Sequence, residues 1–185
     1  AIQKPRFQAR LGTPPAQAYA VDELHAVNMG PCAVMVLAVF WRLADGNPWG
    51  LPSEDRLAWA HDLDVPTAEA NPDFDVLYWV GCAAAYDRRT QRVARSVIRL
   101  LQAASVNFAI PGSQARCTGE SARRMGDEFL FQELAAANVE MLDSQGLSTS
   151  APDRDRLIIT HCPHCLNSLL NDYPQVGGNY QVLHH

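Results

Sequence analysis

The chain has 185 residues, 48% of them hydrophobic and 19% charged, and a formal net charge of -5. Those totals describe a soluble globular protein with enough chain for a real core, and they exclude a nucleic-acid binder, which needs a basic face to neutralise phosphates. The longest apolar run, Met29 to Trp41, includes Gly30 and Pro31 and falls short of the ~20 residues a helix needs to span a bilayer.

Residues 1–28 are mixed and turn-rich, with Pro5, Pro14 and Pro15. No initiator Met, basic n-region or signal-peptide pattern opens the sequence at Ala1, so it reads as a fragment or a processed product. Ala33 to Leu43 is expected to form a buried helix, ended by Asp45–Pro48. A second helix is expected from Pro52 through His61, with Ser53 as its cap and acids in its first turn. Asp64 to Pro72 reads as a linker, with Pro66 and Asn71–Pro72 as breakers. Residues 1–72 are therefore expected to be a helical and irregular extension with its linker, and 73–185 the domain proper.

From residue 75 the pattern changes. Asp75–Val80 is a short apolar run, expected as a buried strand that ends at Gly81–Cys82. Residues 88–104 carry Val93, Val97, Ile98 and Leu101 at helical spacing, with arginines on the other face. Val106–Ile110 is a second strand, stopped by Pro111–Gly112. A loop with Cys117 leads into helix over 120–143, broken near Gly126, and a loop follows over 144–155. Arg156–Thr160 is a third strand ending at His161–Cys162. Pro163 then opens a helix to about Asp172. Tyr180–Leu183 is a fourth strand after the turn at Gly177–Asn179. Strands alternating with helices predict an α/β fold, a parallel sheet with helices on both faces.

Five cysteines are an odd number and too sparse for a disulfide framework in a chain of this size. In an open parallel sheet, ligands gather at the carboxyl ends of the strands. Cys82 follows the first strand, Cys117 the second, and Cys162 and Cys165 the third, so the topology gathers these four at one edge. Cys32 lies outside this unit and reads as a buried, inert thiol. Four thiolates suit a [4Fe–4S] cluster, and a Cys-x-x-Cys pair supplies two of them from one turn. The residues alone fit three other readings: a structural zinc site, a metal-free dithiol of Cys162 and Cys165, and inert cysteines.

The segments Trp79–Cys82, Cys117–Arg124, Thr160–Cys165, Gly177–Tyr180 and Val182–His185 occur in that order. Together they resemble the cysteine-rich (CCG) domain found in heterodisulfide reductases and in the iron–sulfur subunits of glycolate, lactate and anaerobic glycerol-3-phosphate oxidoreductases. The likeness is strongest to the heterodisulfide-reductase-related oxidoreductases associated with acyl-CoA oxidation and electron-transfer flavoprotein. Asn47–Gly50 followed by Glu54–Arg56 resembles the linker of that group, so the likeness covers roughly residues 46–185. It implies a [4Fe–4S] cluster on Cys82, Cys117, Cys162 and Cys165, and electron transfer from a flavoprotein to a quinone or disulfide acceptor. It also implies other oxidoreductase subunits as partners and a cytoplasmic place beside a membrane-bound partner at the inner membrane. The family's Cys-Cys-Gly is Cys117–Thr118–Gly119 in this chain. The lost thiolate speaks against a double-cubane-like cluster and direct disulfide reduction, and for one ordinary cubane. Relatives usually carry two such domains and an upstream ferredoxin-like part; neither is read in this sequence, which looks truncated or divergent.

Other polar residues near the cysteines have two readings each. His161 and His164 are sulfur hydrogen-bond donors or plain loop residues. Glu120 is an oxygen ligand or, preferred, a helix N-terminal acid. Arg123 and Arg124 offset cluster charge or face solvent. Trp79, Tyr86 and Phe129 are expected in the core.

Overall fold

Each of the three apolar runs that alternate with helical segments forms a strand, and the computed structural model, which describes residues 42–150 and 156–185, makes them parallel. The strands are β1 (Val76–Trp79), β2 (Phe108–Ala109), β3 (Leu157–Thr160) and β4 (Val182–His184). Their spatial order is β2-β1-β3-β4 and every pairing is parallel. The register sets Val76 beside Leu157 and Trp79 beside Thr160. The chain runs from β1 outward to β2 and then returns to the other side of β1 as β3. The boundary between β1 and β3 is therefore the switch point of the sheet, the place where open α/β folds form their ligand crevice.

Successive residues along these strands enter opposite cores. Leu77, Trp79, Ala109 and Ile158 belong to one, and Tyr78, Phe108 and Ile110 to the other. That alternation follows from the period of two along a strand, and it requires a helical layer on each face. Helices α1 (Gly81–Tyr86) and α2 (Arg88–Ala103) cover one face. Asp87 caps α2 by accepting from the Thr90 backbone N–H at 2.8 Å. Helices α3 (Glu120–Arg124) and α4 (Glu128–Ser144) lie on the other face, with Ala122, Phe131, Leu134 and Leu142 in its core. They are separated at Gly126, whose φ of +89° is the left-handed conformation that glycine adopts without strain. Helix α5 (Pro163–Asn167) starts with Cys162 as N-cap and continues as a wider π turn over Ser168–Asp172.

Several details depart from the sequence reading. Residues 53–60 form a 3-10 helix in which Ser53 makes no cap bond. Three residues per turn put Arg56 and Trp59 on one side, and both are buried. The expected linker is not free of the sheet: Ala68 N–H donates to the Ile110 carbonyl and Ile110 N–H to the Pro66 carbonyl, each at 2.9 Å, beside β2. On α2 the buried stripe runs through Ala94, Val97 and Ile98, while Val93 is exposed; the small Ala94 makes the closer approach to the sheet. The first residues after β1 are helical rather than loop. The expected helix over 33–43 and Cys32 lie outside the described residues, apart from helical residues 42–44. Among the described residues no helix is long and apolar enough to cross a membrane.

One buried polar side chain ties α4 to the loop between β2 and α3. Asn138 is fully buried and accepts from the Arg116 N–H at 2.9 Å. It donates to the Cys117 carbonyl at 3.1 Å and stands 2.9 Å from the Tyr173 hydroxyl. Asn138→Ala strands these partners in the core, and each buried group left without a partner costs about 1–3 kcal/mol. A loss of about 3 kcal/mol is expected, read as a lower urea midpoint at an unchanged slope.

Candidate thiolate site

Cys82 lies in the first turn of α1, directly after β1. Cys162 follows β3 as the N-cap of α5, and Cys165 lies one turn inside that helix. Cys117 ends the loop that Asn138 holds. The register of β1 with β3 thus delivers Cys82 and Cys162 at the same end of the sheet. Cys117 and Cys165 are buried and the other two half-buried, and all four are free thiols.

The sulfurs meet in two couples. The Cys82 thiol donates to Cys117 Sγ at 3.7 Å. Hydrogen bonding to Cys117 and burial push the Cys82 thiol well up. Cys117 moves down, because it accepts from Cys82 and from the Gly119 N–H and feels the Arg56 charge. The second couple repeats the pattern. The Cys165 thiol hydrogen-bonds Cys162, whose pKa falls to about 6 with help from the Cys165 and His164 N–H groups at the start of α5. That bond and complete burial push Cys165 well up. Each couple therefore holds one proton and one negative charge at neutral pH. Among the described residues no group of three or more His, Cys, Asp or Glu side chains is arranged to hold a metal ion as it stands. Taking up a metal group means breaking both couples and releasing the two remaining protons.

Two features open the backbone to a bulky group. Gly81 has φ +74°, and a Cβ there would stand 3.1 Å from Cys165 Sγ. Gly119 has φ +83°, and its Cβ would press on Phe131 at 2.9 Å. Thr118, at the family's second-cysteine position, is buried with its hydroxyl donating to Cys165 Sγ at 3.9 Å. The donor set is four thiols from three loops, with no carboxylate bonded to any sulfur among the described residues. That is the chemistry of a four-thiolate iron–sulfur or zinc group.

The neighbouring residues sort as follows. His161 Nδ1 lies 2.7 Å from the Tyr78 hydroxyl. Burial and the nearby His185 and His184 lower its pKa to about 4, so the ring is neutral at pH 7. With the buried phenol donating, the ring carries its proton on Nε2, which is buried without a hydrogen-bond partner. Glu120 Oε1 is engaged by Arg124 at 3.0 Å and by His164 Nδ1 at 3.2 Å, consistent with its helix-end role. Arg123 pairs with Asp172 at 3.0 Å and Glu128 at 3.3 Å. Both arginines thus face carboxylates. Trp79 is in the core as expected, Tyr86 is half-buried against Arg56, and Phe129 is exposed rather than packed. The sequence reading missed Arg56 and Asn138, whose residue types carry no site signal of their own.

A parallel sheet with four thiols converging at its switch point defines an α/β thiolate-site domain. The cysteine-rich domain (CCG) family matches residues 76–170, and the chain belongs to that family. It is 38% identical over 144 residues to the "EtfAB:quinone oxidoreductase" of Syntrophomonas wolfei, covering 75% of this chain and 19% of that protein. It is 38% identical over 147 residues to the "Probable iron-sulfur-binding oxidoreductase FadF" of Bacillus subtilis, covering 76% and 20%. It is 28% identical over 144 residues to one subunit of the "Dihydromethanophenazine:CoB--CoM heterodisulfide reductase" of Methanosarcina barkeri, covering 75% and 32%. The match thus spans between a fifth and a third of each relative's length. No solved structure gives a significant match.

The pKa pattern has a direct consequence for metal-free protein. Cys162, half-exposed and with a folded pKa below its ordinary value of 9.0, is largely thiolate at pH 7. It is expected to be alkylated by iodoacetamide first and Cys165 last, with the Cys162 rate falling as pH drops through about 6. Peptide mass mapping over a time course reads the order.

Proposed function

We propose that this chain holds one [4Fe–4S] cluster on Cys82, Cys117, Cys162 and Cys165 and serves as an electron-transfer module of a heterodisulfide-reductase-like oxidoreductase. The observation that carries it is the gathering of four free thiols from three loops at one switch point, two of them already thiolate. When bound, such a cluster accepts and releases one electron at a time. The chain's own part is to supply thiolates at helix starts, keep water away from Cys117 and Cys165, and leave room at Gly81.

The relatives' names support an iron–sulfur oxidoreductase role. They also support the finer reading of a flavoprotein donor of electron-transfer-flavoprotein type and a quinone or disulfide acceptor. Quinone chemistry puts the partner in a membrane, with this domain peripheral to it on the cytoplasmic side of the inner membrane. Thr118 leaves one thiol fewer than the family's Cys-Cys-Gly, which favours a single ordinary cubane over disulfide chemistry at an enlarged cluster. Residues 1–72 are read as the extension and linker to this module.

A second reading is favoured by one observation. Cys162, low in pKa at a helix start beside buried Cys165, is also the arrangement of a metal-free dithiol. Zinc on the same four thiolates is the third.

Anaerobic purification followed by iron, sulfide and zinc assay decides among them. The proposal expects about four irons and four sulfides per chain and a broad visible absorption that bleaches on reduction. Cys82→Ser and Cys117→Ser should each lose that signal while remaining folded. One zinc and a colourless protein would make the site structural, and thiol turnover without metal would make it a dithiol.

A further inference from the structure

The motif upstream of β1, Asn47–Gly50 followed by Arg56, is joined to the thiol site. Asn47 is buried and its side chain closes the turn, accepting from Trp49 N–H at 3.1 Å and Leu51 N–H at 3.2 Å and donating to the Leu51 carbonyl at 2.9 Å. The turn is fastened directly to a proposed ligand: Cys117 N–H donates to the Gly46 carbonyl at 2.7 Å. On the far side, the Tyr86 hydroxyl of α1 donates to the Pro52 carbonyl at 3.2 Å. The 3-10 helix that follows carries Arg56 inward between these two anchors.

Arg56 is 6% exposed. Its guanidinium lies over the Tyr86 ring at 5.9 Å, and no carboxylate pairs with it among the described residues. Its Nη2 is buried without an acceptor, as is Trp59 Nε1, and both residues line the same cavity of about 10 Å³ beside Gly81. A buried guanidinium without a carboxylate is unfavourable unless something negative compensates it. The other arginines near the cysteines, Arg123 and Arg124, are occupied by Asp172, Glu128 and Glu120. What Arg56 acts on is visible in the thiols: its charge favours the thiolate form of both Cys82 and Cys117.

We propose that Arg56 is the buried counter-charge of the thiolate site, delivered by the Asn47 turn, and that it raises the reduction potential of the cluster. This rests on the iron–sulfur reading above. Reduction adds one electron, and so one negative charge, to a group already held by four thiolates. A fixed positive charge in a water-poor site stabilises the reduced form more than the oxidised form. Arg56 touches no reacting atom; it acts through the field at Cys82 and Cys117.

The test is a dithionite-poised redox titration of anaerobically purified full chain, unsubstituted, Arg56→Gln and Arg56→Lys, with iron and sulfide measured on each. Arg56→Gln is expected to lower the midpoint by at least about 59 mV, a tenfold change for a one-electron couple. Arg56→Lys, which keeps the charge, is expected to stay near the unsubstituted value. Full loading of Arg56→Gln with an unchanged midpoint overturns the inference. If Arg56→Gln folds by circular dichroism but does not load, loading of Arg56→Lys supports the counter-charge. Failure of both assigns Arg56 a purely structural part and sinks the inference. An unsubstituted chain without iron and sulfide brings down the cluster reading itself, and this inference with it.

Discussion

The register between β1 and β3 sets the conditions for the rest of the site. Trp79 stands beside Thr160, so the chain leaves the two central strands at the same level and turns into helix on both sides. Cys82 and Cys162 are then neighbours by construction, and the Cys-x-x-Cys spacing carries Cys165 inward against Gly81. A slip of one residue would exchange the faces of β1, send Leu77 and Trp79 to the wrong core, and dismantle the site with it. The buried alternation that stabilises the sheet is therefore also what positions the thiols.

Four thiols packed into one end of a domain cannot all ionise without compensation. The structure resolves this by pairing them, so that one member of each couple keeps its proton and the other is held as thiolate by hydrogen bonds. The thiolates are placed where backbone N–H groups and Arg56 offset their charge. Metal uptake completes the ionisation, which links loading to proton release. The fully buried Asn138 keeps the Cys117 loop from relaxing away from this arrangement.

Much of this was legible in the sequence because apolar runs ended in Gly81–Cys82 and His161–Cys162, and Pro163 marked a helix start. The parallel sheet and the break at Gly126 follow from the same local signals. Other features depend on contacts between distant segments. Helix α1 has no side-chain cap and begins directly after a strand, so its residues read as a loop. The 3-10 helix at 53–60 is shaped by burial of Arg56 and Trp59, which no periodicity announces. Arg56 looked like a linker residue, and its place beside the thiols follows only from the bond between Gly46 and Cys117. Phe129 was misplaced because the helix face it occupies turns outward, while Phe131 and Leu134 turn in.

The central claim is that these four thiolates bind a cluster of iron and sulfide rather than a single ion. X-ray absorption on the anaerobically purified chain addresses it most directly. The account predicts signal at the iron edge, with a first shell of sulfur and a second shell of iron, the metal–metal contact that only a cluster contains. A zinc edge with four sulfur neighbours and no metal shell beyond them would contradict it.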